Sequence, residues 1–386
     1  MASENPDPVI ETKLPGTVSK GIINWLILCC LLVFVMVVIG GITRLTHSGL
    51  SMVDWKPVTG IFPPTSESDW EEEFRKYKLS PEFKKINYDF SLDEYQSIYW
   101  WEYLHRMLGR FIGLVFIVPF GFFLFAKRIR GRLFFDCCLL LLLGAFQAYV
   151  GWYMVASGLV DRPSVSHFRL AFHLLTAIGI ITYGFWVVLK LKFPARMDSK
   201  SPGKSGSEEK STPGISRSLS TFAWITFTLL LVQFIWGAFV AGLKAGLMYN
   251  TWPMMQDKWI ADSVPSSFSS MGFQAAWDSA PAVQFIHRSL GIIVLMFSLY
   301  MWFRVRKISN DVFLMQITSA LGILTILQVI AGIFTLLFSV PVLPGLLHQA
   351  IGILLILSWT AFLYFSRPSP APPGFPKANQ LAKALR

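Results

Sequence analysis

Apolar residues in this chain do not alternate with polar ones; they run together in blocks of about twenty. A block of that length crosses the hydrocarbon core of a bilayer as a helix. Eight blocks fall at about 21–43, 105–126, 133–156, 168–189, 219–242, 281–303, 311–338 and 344–366. In lipid every backbone amide must find its partner within the chain, which leaves helices or a closed barrel. Unbroken runs this long predict helices, and so an all-α polytopic membrane protein. The stretch 197–218, MDSKSPGKSGSEEKSTPGISRS, interrupts the pattern and reads as a flexible linker. The pattern therefore predicts a tail over 1–20, a first bundle over 21–190, a linker over 191–218, a second bundle over 219–366 and a tail over 367–386.

The two sets of four blocks resemble each other. EYLHRMLGRFIGLVF from 102 aligns with QFIHRSLGIIVLMF from 284, and LAFHLLTAIGI from 170 with GLLHQAIGILLI from 345. HSGLSMVDWKP from 47 aligns more loosely with KAGLMYNTWP from 244. Matches in the same order, with an even number of spans in each half, predict a parallel repeat about an axis along the membrane normal. Each half is then a four-helix bundle, and the pair is pseudo-symmetric.

Composition agrees: 53% of residues are hydrophobic and only 15% charged, too few charges to clothe a water-soluble domain of 386 residues. The net charge of +11 suggests a nucleic-acid partner until its distribution is read. With the N-terminus inside, the inner segments 1–20, 127–132, 190–217, 304–310 and 367–386 hold 20 of the 34 Lys and Arg. This is the positive-inside pattern; it predicts both termini inside and excludes a nucleic-acid footprint. Residues 1–20 carry Glu4, Asp7 and Glu11, unlike an acid-poor transit peptide, which favours a bacterial plasma membrane over a mitochondrial inner membrane. The four cysteines form two adjacent pairs inside spans, Cys29–Cys30 and Cys137–Cys138, and read as small packing residues. No C-x-x-C-H occurs, so covalent c-type haem is excluded.

Four of the six histidines occupy matched places: His105 and His173 in the first half, His287 and His348 in the second. Each is expected near the N-terminal end of an even-numbered span, so each half offers two imidazoles at one depth. A histidine inside a span is costly and marks function by default. Two imidazoles on facing helices suit the two faces of a haem iron. Zinc wants a third or fourth ligand nearby, and a proton relay wants acids at mid-membrane. Gly109, Gly291, Gly352 and Gly179 lie along the same helices and allow close approach of a macrocycle or a partner helix. Arg106 and Arg288 each follow a histidine, where a guanidinium can pair with a haem propionate or simply reach the interface. His47 and His167 have no matched partner and read as interfacial residues.

The motifs GGITRLTHSGLSMVDWKPVTGIFPP (40–64), EYLHRMLGR (102–110), RLAFHL (169–174), NTWPMM (250–255), QFIHRSLG (284–291) and LLHQAIG (346–352) together resemble haem A synthases, assembly enzymes of cytochrome oxidase. The resemblance covers nearly all spans and both long connections. It implies eight spans in two bundles and an oxidoreductase that converts haem O to haem A. The C8 methyl becomes a formyl group through successive hydroxylations by water. It further implies a haem b cofactor on His287 and His348 with Arg288 beside it, and substrate haem on His105 and His173 with Arg106. Haem O synthase is implied as the donor of substrate; the electron acceptor stays unnamed and a homo-oligomer is allowed. Some members of the family carry a cysteine pair in the first outer loop, which this chain lacks, and an acid is common where this chain carries His47.

The repeat isolates one difference. Glu102 stands three residues before His105, whereas Gln284 holds that place before His287. Positions three apart share a helix face, so Glu102 is the candidate catalytic base; an ion pair with Arg106 or Arg110 is the simpler reading. The connection 65–100 is expected to form short amphipathic helices over the first bundle, as a cover or a gate, with Trp55 and Lys56 beside it. Two other functions compete: a di-haem b-type electron-transfer cytochrome without ring chemistry, and a transporter, which predicts a polar mid-membrane path that these spans lack.

Overall fold

The computed structural model describes residues 19–55, 60–160, 163–194, 215–309 and 311–367. Lys56, most of the linker and both tails lie outside them. Twelve α-helices follow in order among the described residues: α1 (Lys20–Leu45), α2 (Glu67–Lys78), α3 (Pro81–Lys85), α4 (Leu92–Phe125), α5 (Arg132–Ala156), α6 (His167–Lys192), α7 (Arg217–Gly242), α8 (Ser263–Met271), α9 (Ala275–Asp278), α10 (Ala280–Ile308), α11 (Val312–Leu337) and α12 (Val342–Phe365). Eight of them, α1, α4, α5, α6, α7, α10, α11 and α12, are long and apolar enough to cross a membrane. The protein is an integral, multi-pass, all-α membrane protein.

Seven spans begin and end within a few residues of their predicted bounds. The second does not: α4 starts at Leu92, well before 105. Ser91 caps it reciprocally with Glu94, each side chain bonding the other's backbone N–H. Its first turns carry Tyr95, Ile98 and Tyr99, which are buried against Phe74 and Tyr77 of α2. Aromatic residues facing protein, with acids on the other side, hid this part of the helix from a hydropathy reading. His105 consequently lies deep within α4 rather than near its start. The expected surface helices are present as α2 and α3, and α2 packs on α4 as a cover.

The helices of the first set form a ring: α1 touches α4 and α6, and α5 touches the same two. In the second set α7 touches α10 and α12, and α11 touches those two. The rings meet where α6 packs on α7 and α12, and α12 on α1. Ile178 and Ile181 of α6 are buried there with Ile353, Ile356 and Trp359 of α12. Cys29 and Cys137 are buried in a core at one end of the first ring, and all four cysteines are free thiols.

Pro119 interrupts the ladder of α4, because proline has no N–H to give to the carbonyl four residues earlier. That carbonyl, on Val115, instead accepts from the indole Nε1 of Trp25 in α1 at 2.8 Å. The orphaned acceptor becomes a tether between two helices.

Candidate functional site

Each of the four matched histidines lies against a glycine of the preceding long helix. A Cβ on Gly40 (α1) would stand 3.1 Å from His105 Nε2, and one on Gly237 (α7) 3.2 Å from His287 Cε1. A Cβ on Gly151 (α5) would stand 2.9 Å from His173 Cε1, and one on Gly332 (α11) 2.8 Å from His348 Cε1. Only glycine lets the imidazoles settle so close to a neighbouring backbone. These glycines were not singled out from sequence; the signal was there in QAYVG, QFIWG and QVIAG, where each follows a glutamine by four residues. Of the glycines singled out, Gly109 faces Met36, Gly291 faces Gln233, and Gly352 faces Gln328 and Phe234, so they admit partner side chains. A Cβ on Gly179 would meet no protein atom within 4 Å.

The glutamines hold the histidines. Gln147 Nε2 donates to the carbonyl of His173 at 3.1 Å and lies 3.2 Å from its ring Nδ1. Gln233 Nε2 donates to the carbonyl of His287 at 3.0 Å. The backbone carbonyl of Gln328 accepts from His348 Nδ1 at 3.0 Å, which leaves Nε2 as the acceptor nitrogen. Its side-chain Nε2 stands 3.4 Å from His348 Nε2.

His287 and His348 face each other with ring centroids 6.4 Å apart and planes inclined by 78°. Two imidazoles that each bond one metal at ~2.0 Å place their centroids roughly 6 Å apart. His287 Nδ1 is buried and unpartnered. The residues present therefore fit a bis-imidazole iron between α10 and α12. His105 and His173 lie within electrostatic reach of each other in the first ring. Among the described residues no three His, Cys, Asp or Glu side chains converge.

Glu102 is 3% exposed. Its Oε2 accepts from Ser51 Oγ at 2.8 Å and from the Met52 amide at 2.9 Å. Its Oε1 pairs with Arg106 Nη2 at 2.6 Å. Arg106 also donates to the carbonyls of Met52 at 2.9 Å and Asp54 at 3.1 Å, and lies over the Trp55 ring. Gln284 meets the equivalent place in the second half: it donates to the Tyr249 carbonyl at 3.2 Å, and Arg288 Nη2 donates to that same oxygen at 2.5 Å. Both arginines thus tie a helix to its preceding loop. The ion pair with Arg106, the simpler reading of Glu102, is present.

His47 ends α1 in a left-handed turn (φ 55°), and Lys244 makes the same turn after α7 (φ 53°). The loose third match between the halves is therefore a match of backbone shape. His167 opens α6, where its Nε2 lies 3.0 Å from Asp278 Oδ1 of α9, so it bridges the two halves.

Eight apolar helices in two rings, each ring carrying two glycine-backed histidines on different helices, define a membrane protein built around paired imidazoles. A family model described as cytochrome oxidase assembly protein matches residues 23–360, and the chain belongs to that family. It is 42% identical over 349 residues to a haem A synthase of Flavobacterium psychrophilum, covering 90% of this chain and 98% of that one. It is 41% identical over 350 residues to a haem A synthase of Nitrosospira multiformis, covering 89% and 93%. A haem A synthase of Rickettsia rickettsii is 40% identical over 349 residues, covering 89% and 97%.

Proposed function

We propose that this chain is a haem A synthase, an oxidoreductase that converts the C8 methyl of haem O to a formyl group for cytochrome c oxidase. His105 and His173 hold the substrate iron, with Arg106 beside them. His287 and His348, with Arg288, hold haem b. Haem b, when bound, supplies a one-electron relay toward an external acceptor. Haem O synthase is the natural donor of so apolar a substrate. Both termini lie on the inner side, as the distribution of Lys and Arg suggests, and the bacterial relatives suit a bacterial plasma membrane.

The observation that carries this reading is Glu102, buried one turn before His105 and bonded by Ser51, Met52 and Arg106. Each hydroxylation by water removes two electrons and two protons from the methyl group and the water together. A fixed carboxylate at the mouth of the substrate bundle can take such a proton and favour positive charge growing at the methyl carbon. Arg106 and the Met52 amide hold it in one orientation, which lowers the reorganisation needed during the reaction. Gln284 cannot accept a proton in this way, so the second bundle binds without transforming.

The test is Glu102→Gln, expressed with a source of haem O. The variant is expected to retain haem b absorption and to yield no formyl product on chromatography of extracted haems. Haem A at the parental rate would remove Glu102 from the chemistry. Two unmodified b haems in the parent would replace the synthase reading with an electron-transfer cytochrome.

A further inference from the structure

The four histidines each have a supporting glycine on the preceding long helix but differ in the residue one turn before it. Three are faced by a glutamine one turn before the supporting glycine: Gln147, Gln233 and Gln328. Each amide bonds the histidine carbonyl or lies against its ring. In the fourth, the residue one turn before Gly40 is Met36, whose Cε would lie 3.4 Å from a Cβ on Gly109, the place where Gln233 meets Gly291. A thioether donates no hydrogen bond. Among the described residues, His105 has no hydrogen bond to its ring and none from a neighbouring helix to its carbonyl.

We propose that Met36 makes His105 the releasable ligand of the substrate haem, so that product leaves the first bundle while haem b stays in the second. This rests on the assignment of the bundles under Proposed function. The physical reason is a difference in fixed geometry. His173 and His348 each have an amide from a neighbouring helix against the ring, and His287 has one on its backbone carbonyl, so these three positions are held from a neighbouring helix. His105 lies against Gly40, with Met36 against Gly109 one turn further along its own helix, and no amide stands in that place. A cofactor site gains from two held ligands because it never turns over. A substrate site must let its haem go, and one unheld ligand is the smallest change that allows it. The soft, flexible Met side chain fills the space of the missing amide without fixing the ring.

The test measures haem transfer to excess apomyoglobin from purified protein loaded with haem O, with extracted haems separated by chromatography. The parent is expected to lose haem O or A faster than haem b. Met36→Gln is expected to slow the loss of the modified haem roughly three- to tenfold, the worth of one hydrogen bond, and to leave haem b transfer unchanged. Gln233→Met is expected to hasten haem b transfer by a similar factor. The spin state of the modified haem, read by magnetic circular dichroism, should move toward low spin in Met36→Gln. Unchanged transfer in both variants overturns the proposal. A Met36→Gln protein that fails to fold is recognised by loss of haem b, and Gln233→Met then decides alone. A parent that carries only haem b defeats the assignment of the bundles instead, since no modified haem is then present to be released.

Discussion

Arg44 donates from Nη2 to the carbonyl of Ala241, the residue that stands in α7 where Arg44 stands in α1. The left-handed turns at His47 and Lys244, three residues further on in each helix, fix that correspondence. One half therefore reaches across and bonds the other at its own equivalent position. Arg44→Ala is expected to cost about 1.5–3 kcal/mol, the range for a hydrogen bond with a charged partner. The readout is the thermal transition of the detergent-solubilised protein.

Glu82 of α3 is 5% exposed and accepts from the Tyr77 hydroxyl at 3.1 Å. Burial pushes its carboxyl up to about 7, and the charge of Glu102 adds to the rise, against the Tyr77 bond and the cations Lys244 and Arg44. The folded chain then binds this proton more tightly than the unfolded one, whose value is near 4.5. Its stabilising share is full below about 4.5 and is lost as pH rises to about 7, on the order of 3 kcal/mol in all. Melting curves between pH 5 and 8 should show this fall, and Glu82→Gln should flatten it.

Gly151→Ala and Gly332→Ala separate the two bundles. Each new methyl would come within 3 Å of an imidazole carbon, 2.9 Å at His173 and 2.8 Å at His348, so the ring must move. Gly151→Ala is expected to lose the substrate haem and keep haem b. Gly332→Ala is expected to do the reverse. Pyridine haemochrome spectra and chromatography of extracted haems distinguish the outcomes; loss of both haems from either variant would refute the separation.

At the other end of the first ring, Asp136 accepts from Lys190 Nζ at 2.7 Å and from the Tyr183 hydroxyl at 2.7 Å, nearly out of contact with solvent. Asp136→Ala leaves a buried ammonium unpaired and is expected to cost about 3–5 kcal/mol. Replacing Asp136 and Lys190 together by leucine should restore most of that loss. A double variant no more stable than Asp136→Ala would show that the ion pair is not the cause.

Much of this was legible in the sequence, because a bilayer imposes one length and one polarity on every spanning helix. The four histidines and Glu102 stood out because imidazoles and acids are costly beside lipid. The start of α4 was not legible: Tyr95, Ile98 and Tyr99 pack on α2, and hydropathy does not tell a protein-facing stripe from a loop. Nor were the roles of Arg106 and Arg288, whose carbonyl partners at Met52, Asp54, Tyr249 and Met254 exist only once the loops are folded. The glycines under the histidines were overlooked for another reason. They sit on the preceding helices, and the pattern that marks them becomes visible only when helices are paired.

The length of α4 has one more consequence. Its 34 residues rise about 50 Å, against a hydrocarbon core of about 30 Å. The surplus stands clear of the lipid as a rigid mast, stayed by α2 and carrying Glu102 and His105 on the same rod. A push on α2 at the water surface therefore reaches the first bundle without passing through a hinge. The first bundle can be addressed mechanically from outside the membrane, through a handle that is part of its own helix.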